Sequence, residues 1–324
     1  MHLLIRISVG VIVLVAIIAG GFSAWAFLRE QADRAELAPA NGRFVQAGDT
    51  ELFIQEIGSG ERTAIVLHGM AAWSETWRPA GEALAQAGWR VILVDMPPFG
   101  FSERPADRGY WRVDGADRLY ALTRTLELDN PLIVAHSYGS RAGFEALMRH
   151  PAAFRGIIAI DPALDEIYGE SAVIDERVLD VFSHEVIRYP VIAMTLTNPL
   201  LAQTLLQRFM HKKETATPSV LAPFRLPGSL RESTTDLGHW VYGFLSGADR
   251  GFSQMRGHFS SLGEPAVLIW GREDTTTPLA QGQELAALIP GAELVVLDGV
   301  GHMPHIEDPA AFEAALVRAA AAFQ

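Results

Sequence analysis

The sequence predicts an α/β protein: an eight-stranded, mostly parallel sheet flanked by helices, with a helical insertion after the sixth strand and an apolar N-terminal segment. Three observations carry this. Short continuous apolar runs, such as Val91-Ile92-Leu93-Val94 and Ile157-Ile158-Ala159-Ile160, suit parallel strands covered on both faces. Amphipathic segments alternate with those runs, the rhythm of a doubly wound sheet. Finally, Leu132-Ile133-Val134-Ala135-His136 runs directly into Ser137, with small residues Ala135 and Gly139 two positions to either side and a helical segment behind. A serine there sits on a strained strand-to-helix turn that only small flanking residues permit.

From Ile7 to Leu28 the chain carries no charge and is almost wholly apolar. About twenty such residues can cross a hydrocarbon core. Arg6 precedes the run, Arg29 and Glu30 follow it, and Trp25 lies where interfacial aromatics favour headgroups. Residues 1–42 are therefore expected to be a single-pass membrane anchor plus a linker, Ala35 to Gly42, with a lipid bilayer as partner. The competing reading is a cleaved signal peptide, on the strength of Ala24-Trp25-Ala26. The short N-terminal tail puts the rest of the chain on the extracytoplasmic side, while Arg29 and Arg34 weigh against that orientation.

Strands are expected at Arg43–Ala47, Leu52–Ile57, Thr63–Leu67, Arg90–Val94, Leu132–Ala135, Gly156–Ile160, Ala266–Trp270 and Glu293–Leu297. The first two, shorter and more polar, suit an antiparallel edge. Helices are expected at Thr76–Ala87, Val113–Leu126, Tyr138–Arg149, Leu279–Ile289 and Ala310–Phe323, with Gly88 and Gly291 as stop signals. Pro162 to Gly247 breaks the rhythm. It carries helical patches at Val178–Ile187 and Leu200–Met210, then a stretch with Pro218, Pro223 and Pro227. The core is thus residues 43–161 and 248–324, with 162–247 inserted as a helical cap. Phe209, Met210, Leu221, Phe224, Trp240 and Phe244 either line a pocket under that cap or hold the cap together.

Half of the 324 residues are hydrophobic, enough for one domain with a large core and an insertion. The net charge of −12 argues against a nucleic-acid surface. With no cysteine, the chain has no disulfides, thiolate catalysis or cysteine metal sites. His184, His211, His239 and His258 lack metal-ligand spacing.

Four further stretches accompany the serine turn, the last two placing an acid and then a histidine after it: Ala64-Ile65-Val66-Leu67-His68-Gly69-Met70, Asp95-Met96-Pro97-Pro98-Phe99-Gly100-Phe101-Ser102, Gly271-Arg272-Glu273-Asp274 with Pro278, and Gly301-His302-Met303-Pro304-His305. Together they resemble the α/β-hydrolase superfamily, in its serine-nucleophile, helical-capped esterase or carbon–carbon hydrolase branch. Ala135 stands where the first glycine of the serine motif is usual, and Pro98 replaces a glycine of the Asp95 loop.

The resemblance implies a triad of Ser137, Asp274 and His302. It also implies an oxyanion hole from the backbone N–H groups of Met70 and Tyr138, shaped by His68 and Gly69, and no metal or organic cofactor. Asp161, at the end of the sixth strand, is the rival acid and His305 the rival base. His136 is expected to pack within the turn, and Asp95 to be structural. The expected activity is hydrolysis of a small-molecule carboxylic ester with a hydrophobic acyl group, through an acyl-enzyme. Alternatives are a carbon–carbon bond hydrolase of ring-cleavage products with the same triad, acyl transfer or perhydrolysis through the same intermediate, or a weakly catalytic ligand-binding protein. The serine excludes the carboxylate-nucleophile branches.

Overall fold

In the computed structural model, which describes residues 2–169 and 174–323, eight strands form one sheet: β1 (Gly42–Ala47), β2 (Thr50–Ile57), β3 (Arg62–Leu67), β4 (Trp89–Val94), β5 (Leu132–His136), β6 (Gly156–Ile160), β7 (Ala266–Gly271) and β8 (Glu293–Leu297). Their order is β1-β2-β4-β3-β5-β6-β7-β8. Only β1–β2 and β2–β4 pair antiparallel, so the two more polar strands do form the antiparallel edge.

Alternation along the strands builds two cores. Ile65, Leu67, Ile133, Ala135, Ile157 and Ala159 point to one face, under the helices Arg112–Thr125, Gly139–Arg149 and Leu279–Leu288. Ala64, Val66, Leu132, Val134, Ile158 and Ile160 point to the other, under Arg78–Gln86 and Pro309–Ala321. Both sets are buried, which is why these strands read as continuous apolar runs. The ends of β3, β5 and β7 all carry the turns that the sequence singles out.

Between β6 and β7 the described chain is helical. The patch expected at Val178–Ile187 is two helices, Glu176–Ser183 and Glu185–Met194, broken at His184, whose ψ is 120°. The other α-helices there are Ala202–Arg208, Pro218–Arg225, Ser233–Leu245 and the short Arg256–Phe259.

The N-terminal expectation is corrected. Helix His2–Arg29 covers the apolar run, although the side chains of Ile7 to Val9 and of Ile12 lie outside the described residues. Among the described residues no helix is long and apolar enough to cross a membrane. The transmembrane helix, the bilayer partner and the membrane localisation expected from the sequence are therefore not supported. Physically, the far end of this helix is committed to protein. It packs on Glu185–Met194, with Ala26 buried. Just beyond it, buried Glu30 accepts a hydrogen bond from Thr234 N (3.1 Å), and Ala32 bridges to Leu230. The sequence alone does not reveal that docking.

Candidate active site

β5 delivers Ser137 at φ 49°, in the left-handed region that a residue with a Cβ rarely enters. The turn is held from both sides: Ser137 N donates to Ile160 O (2.9 Å), and Ser137 O accepts from Ala163 N (3.2 Å). Helix Gly139–Arg149 starts immediately behind. A Cβ on Gly139 would stand 2.5 Å from His68 O, so only glycine lets the helix approach the turn after β3 so closely.

On the far side, the turns after β7 and β8 also meet closely, a Cβ on Gly271 falling 2.2 Å from Gly301 O. His302 N donates to Phe209 O (3.1 Å) in the inserted segment. The Glu307 carboxylate accepts from the N–H groups of Gly301, Met303, His211 and Lys212, at 2.8 to 3.2 Å. That carboxylate fixes the histidine loop to the insertion. The sequence does not mark it, because two of its four donors come from a segment 95 and 96 residues away.

The structure brings the three expected residues together. His302 Nε2 lies 2.8 Å from Ser137 Oγ, and Nδ1 lies 2.7 Å from Asp274 Oδ2. All three are buried. Thr276 N and Thr277 N donate to Asp274 Oδ1 (2.7 and 3.0 Å), and Thr277 Oγ1 donates to Oδ2 (2.6 Å). Burial pushes the Asp274 carboxyl up, but the His302 and Thr277 hydrogen bonds outweigh it and hold the group below its ordinary value. Thr277 was also unforeseen; its signal was only its place three residues after Asp274.

The rivals are arranged differently. Asp161 Oδ1 accepts from Gly271 N (2.8 Å), and its carboxyl is driven well above the ordinary range by burial and then by the Asp274 charge. It stands behind Asp274, whose carboxylate faces His302. His305 stacks on Trp77 (centroids 4.1 Å apart), its ring nitrogens unpartnered among the described residues. Burial lowers it to about 3. His136, also held neutral by burial, donates through Nε2 to His302 O (2.8 Å), so it supports the histidine loop as well as packing in the turn.

Met96 N donates to His68 Nε2 (3.0 Å), so the ring proton sits on Nδ1, which donates to Gly69 O (2.8 Å). Burial lowers His68 to about 4 and keeps it neutral. A Cβ on Gly69 would stand 2.7 Å from His136 Nδ1 and 3.2 Å from Ser137 Cβ. Met70 lines the same chamber as Ser137, Tyr138 follows the serine in the chain, and neither backbone N–H has a protein acceptor among the described residues. Asp95 accepts from Ser74 N and Phe101 N (2.7 and 2.6 Å) and is structural, as expected.

Against Ser137 lies a chamber of about 140 Å³ lined by Met70, Leu206, Phe209, Leu221, Phe224 and Met303, among others. Of the six apolar residues considered, Phe209, Leu221 and Phe224 face it. Met210 packs beneath, and Trp240 and Phe244 cluster with Tyr138 and Tyr110.

The family model described as alpha/beta hydrolase fold matches residues 64–309. The chain belongs to the α/β-hydrolase fold family. Among curated proteins, it is 28% identical over 290 residues to 2-hydroxymuconate semialdehyde hydrolase of Pseudomonas sp. (strain CF600), spanning 85% of this chain and 92% of that protein. Among solved structures it is similar to a meta-cleavage product hydrolase from Pseudomonas fluorescens IP01, with TM-score 0.65 and 20% identity over 87% of this chain and 98% of that one. It is likewise similar to an esterase from Exiguobacterium antarcticum, with TM-score 0.69 and 20% identity over 86% and 98%. At those identities the two structures speak for the fold alone. The family match and the curated relative together support hydrolase chemistry for this chain.

Proposed function

We propose that the protein splits a bond at an acyl carbonyl through an acyl-enzyme on Ser137, with residues 162–247 acting as a cap over the core of 43–161 and 248–324. The observation that carries this reading is the continuous relay from Asp274 through His302 to a serine hydroxyl that opens into an apolar chamber.

A serine hydroxyl is a weak nucleophile at neutral pH, so a base must take its proton as it attacks. His302 Nε2, 2.8 Å away, takes it. Asp274 fixes the tautomer with Nδ1 protonated and stabilises the imidazolium. The carbonyl oxygen gathers charge between Met70 N–H and Tyr138 N–H, each such donor contributing about 3 kcal/mol to the transition state. His302 then returns the proton to the departing group, and water, activated by the same imidazole, releases the acid. Neutral His136 and His305 beside His302 add no positive charge to oppose the imidazolium.

Two leaving groups fit this chemistry. A carbon leaving group, as in ring-cleavage dienoates, is favoured by the name of the curated relative. An oxygen leaving group, a carboxylic ester with an apolar acyl chain, is favoured by the chamber, whose lining includes Leu205, Leu206, Phe209 and Phe224 but no lysine or arginine. The relatives weigh more on the first reading than on the ester anticipated from the sequence. Turnover of a ring-cleavage dienoate beside a series of 4-nitrophenyl esters tests the choice. A kcat/KM at least tenfold higher for the dienoate supports the carbon bond, and the reverse supports the ester. Turnover of neither, with Ser137 unreactive to a fluorophosphonate, would sink the hydrolase reading.

A further inference from the structure

The backbone around His302 rests on three supports, and two of them run into the insertion. From the core, His136 Nε2 donates to His302 O at 2.8 Å. From the insertion, Phe209 O accepts from His302 N at 3.1 Å, and the Phe209 ring stands 5.9 Å from the imidazole. The third support is the Glu307 side chain, whose two oxygens face different ways. Oε1 accepts from Gly301 N and Met303 N (3.1 and 3.2 Å), the residues on either side of His302. Oε2 accepts from His211 N and Lys212 N, both at 2.8 Å, and shares Gly301 N at 3.1 Å.

The local sequence suits this joint. A Cβ on Gly301 would stand 2.8 Å from His211 N, so glycine lets the turn after helix Ala202–Arg208 press against the histidine loop. Glu307 is buried, and its carboxylate matches four N–H groups whose loss of a partner there would be costly. At the rim Lys212 Nζ meets Asp308 Oδ2 at 3.2 Å, a partly exposed pair of the kind that contributes little by itself. The buried carboxylate is therefore the main tie.

An imidazole is aimed by the backbone that carries it, and a misplacement of about 1 Å can cost about 10²-fold in rate. We propose that Glu307 is a positioning residue that makes the aim of His302 conditional on the seating of the 209–212 turn. With the turn seated, His302 Nε2 lies 2.8 Å from Ser137 Oγ. Lifting it takes Phe209 O from His302 N and two donors from Glu307, which releases the histidine loop on its insertion side. Deprotonation of Ser137 is thereby confined to the closed arrangement, in which Leu206, Phe209 and Phe224 of the insertion wall the chamber. This deepens the acyl-hydrolase reading and rests on it: the insertion sets the base as well as covering the substrate.

Two substitutions in the full-length chain approach the joint from opposite sides. Glu307→Gln keeps the size of the side chain but turns one acceptor oxygen into an amide that cannot accept. Lys212→Pro deletes an N–H on the insertion side, at a φ of −84° that is close to the value proline fixes. Each is expected to lower kcat for 4-nitrophenyl butanoate by about tenfold or more, with KM within about threefold, in assays run well below the variant's Tm. The low-field proton resonance of His302 Nδ1–H, assigned by its loss in His302→Ala, should shift or broaden in both variants. General loosening of the fold would not move that signal in the folded protein. An unchanged kcat, a loss confined to KM, or a fall in kcat with the resonance intact would overturn the positioning role. Should Glu307→Gln fail to fold, Lys212→Pro decides by the same readouts. A wild type without turnover, whose resonance both substitutions disturb, would instead remove the hydrolase reading alone.

Discussion

At the residue scale, two aspartates stand near one histidine, and their surroundings move their carboxyls in opposite directions. Asp274 collects N–H and O–H donors that hold it below its ordinary value, whereas burial and the neighbouring Asp274 charge push Asp161 well above it. In steady-state kinetics, Asp274→Asn should therefore cost on the order of 10⁴-fold in kcat, the loss expected when the base adopts the wrong tautomer. Asp161→Asn should cost less than about tenfold. Equal losses would contradict the assignment. The sequence held both aspartates at strand ends and named Asp274 only by resemblance, because what separates them is hydrogen bonding that no spacing encodes. His305 supplies a second prediction. Burial sets its folded value near 3, below the unfolded 6.5, so its contribution to stability is present above pH 6.5 and is lost as pH falls towards 3. By pH 5 that loss is about 2 kcal/mol. His305→Phe, which keeps the stack on Trp77, should lose about that much less than wild type between pH 7.5 and 5 in urea unfolding; parallel losses would contradict the burial argument.

At the element scale, the turns after β3, β5, β7 and β8 converge because glycines allow backbones to touch. Gly69→Ala would push a methyl into His136 and Ser137, displacing the Met70 N–H. The expected outcome is a drop of about 10²-fold or more in kcat, the effect of losing one oxyanion donor, beside the loss of about 1–3 kcal/mol in stability that overpacking a buried site brings. Retained kcat would count against Met70 as a donor. The strands and these turns were legible, since apolar runs and glycine-flanked motifs reflect burial on both faces. The inserted helices were less so. Ser233–Leu245 lacks a clean apolar stripe and includes Gly238 and Gly243, the latter pressed against the Trp111 ring. Pro218–Arg225 holds two of the three prolines that set this stretch apart from the helical patches, yet Pro218 acts as a helix start capped by Thr217.

At the scale of the whole molecule, buried charge ties the segment just after the insertion to the first half of the core. Asp249 accepts from Arg112 N (2.7 Å), Arg112 Nε (3.1 Å) and Arg141 Nη1 (2.9 Å). Burial raises its carboxyl, but the two arginines more than compensate and hold it below the ordinary range. Asp249→Ala takes the shared carboxylate from two buried guanidinium groups and should cost about 3–5 kcal/mol, seen as a clear fall in Tm. An unchanged Tm would contradict the role of this network. The N-terminal run shows where composition misleads: its apolarity is evident in the sequence, but its docking through Ala26 and Glu30 depends on a partner two hundred residues away. The claim on which everything else depends is that Ser137 is the nucleophile activated by His302. Intact-mass and peptide analysis after a fluorophosphonate pulse tests it directly. One adduct on Ser137 in the wild type, and none in Ser137→Ala or His302→Ala under the same pulse, is the predicted result. An adduct on another residue, or full substrate turnover by Ser137→Ala, would contradict it.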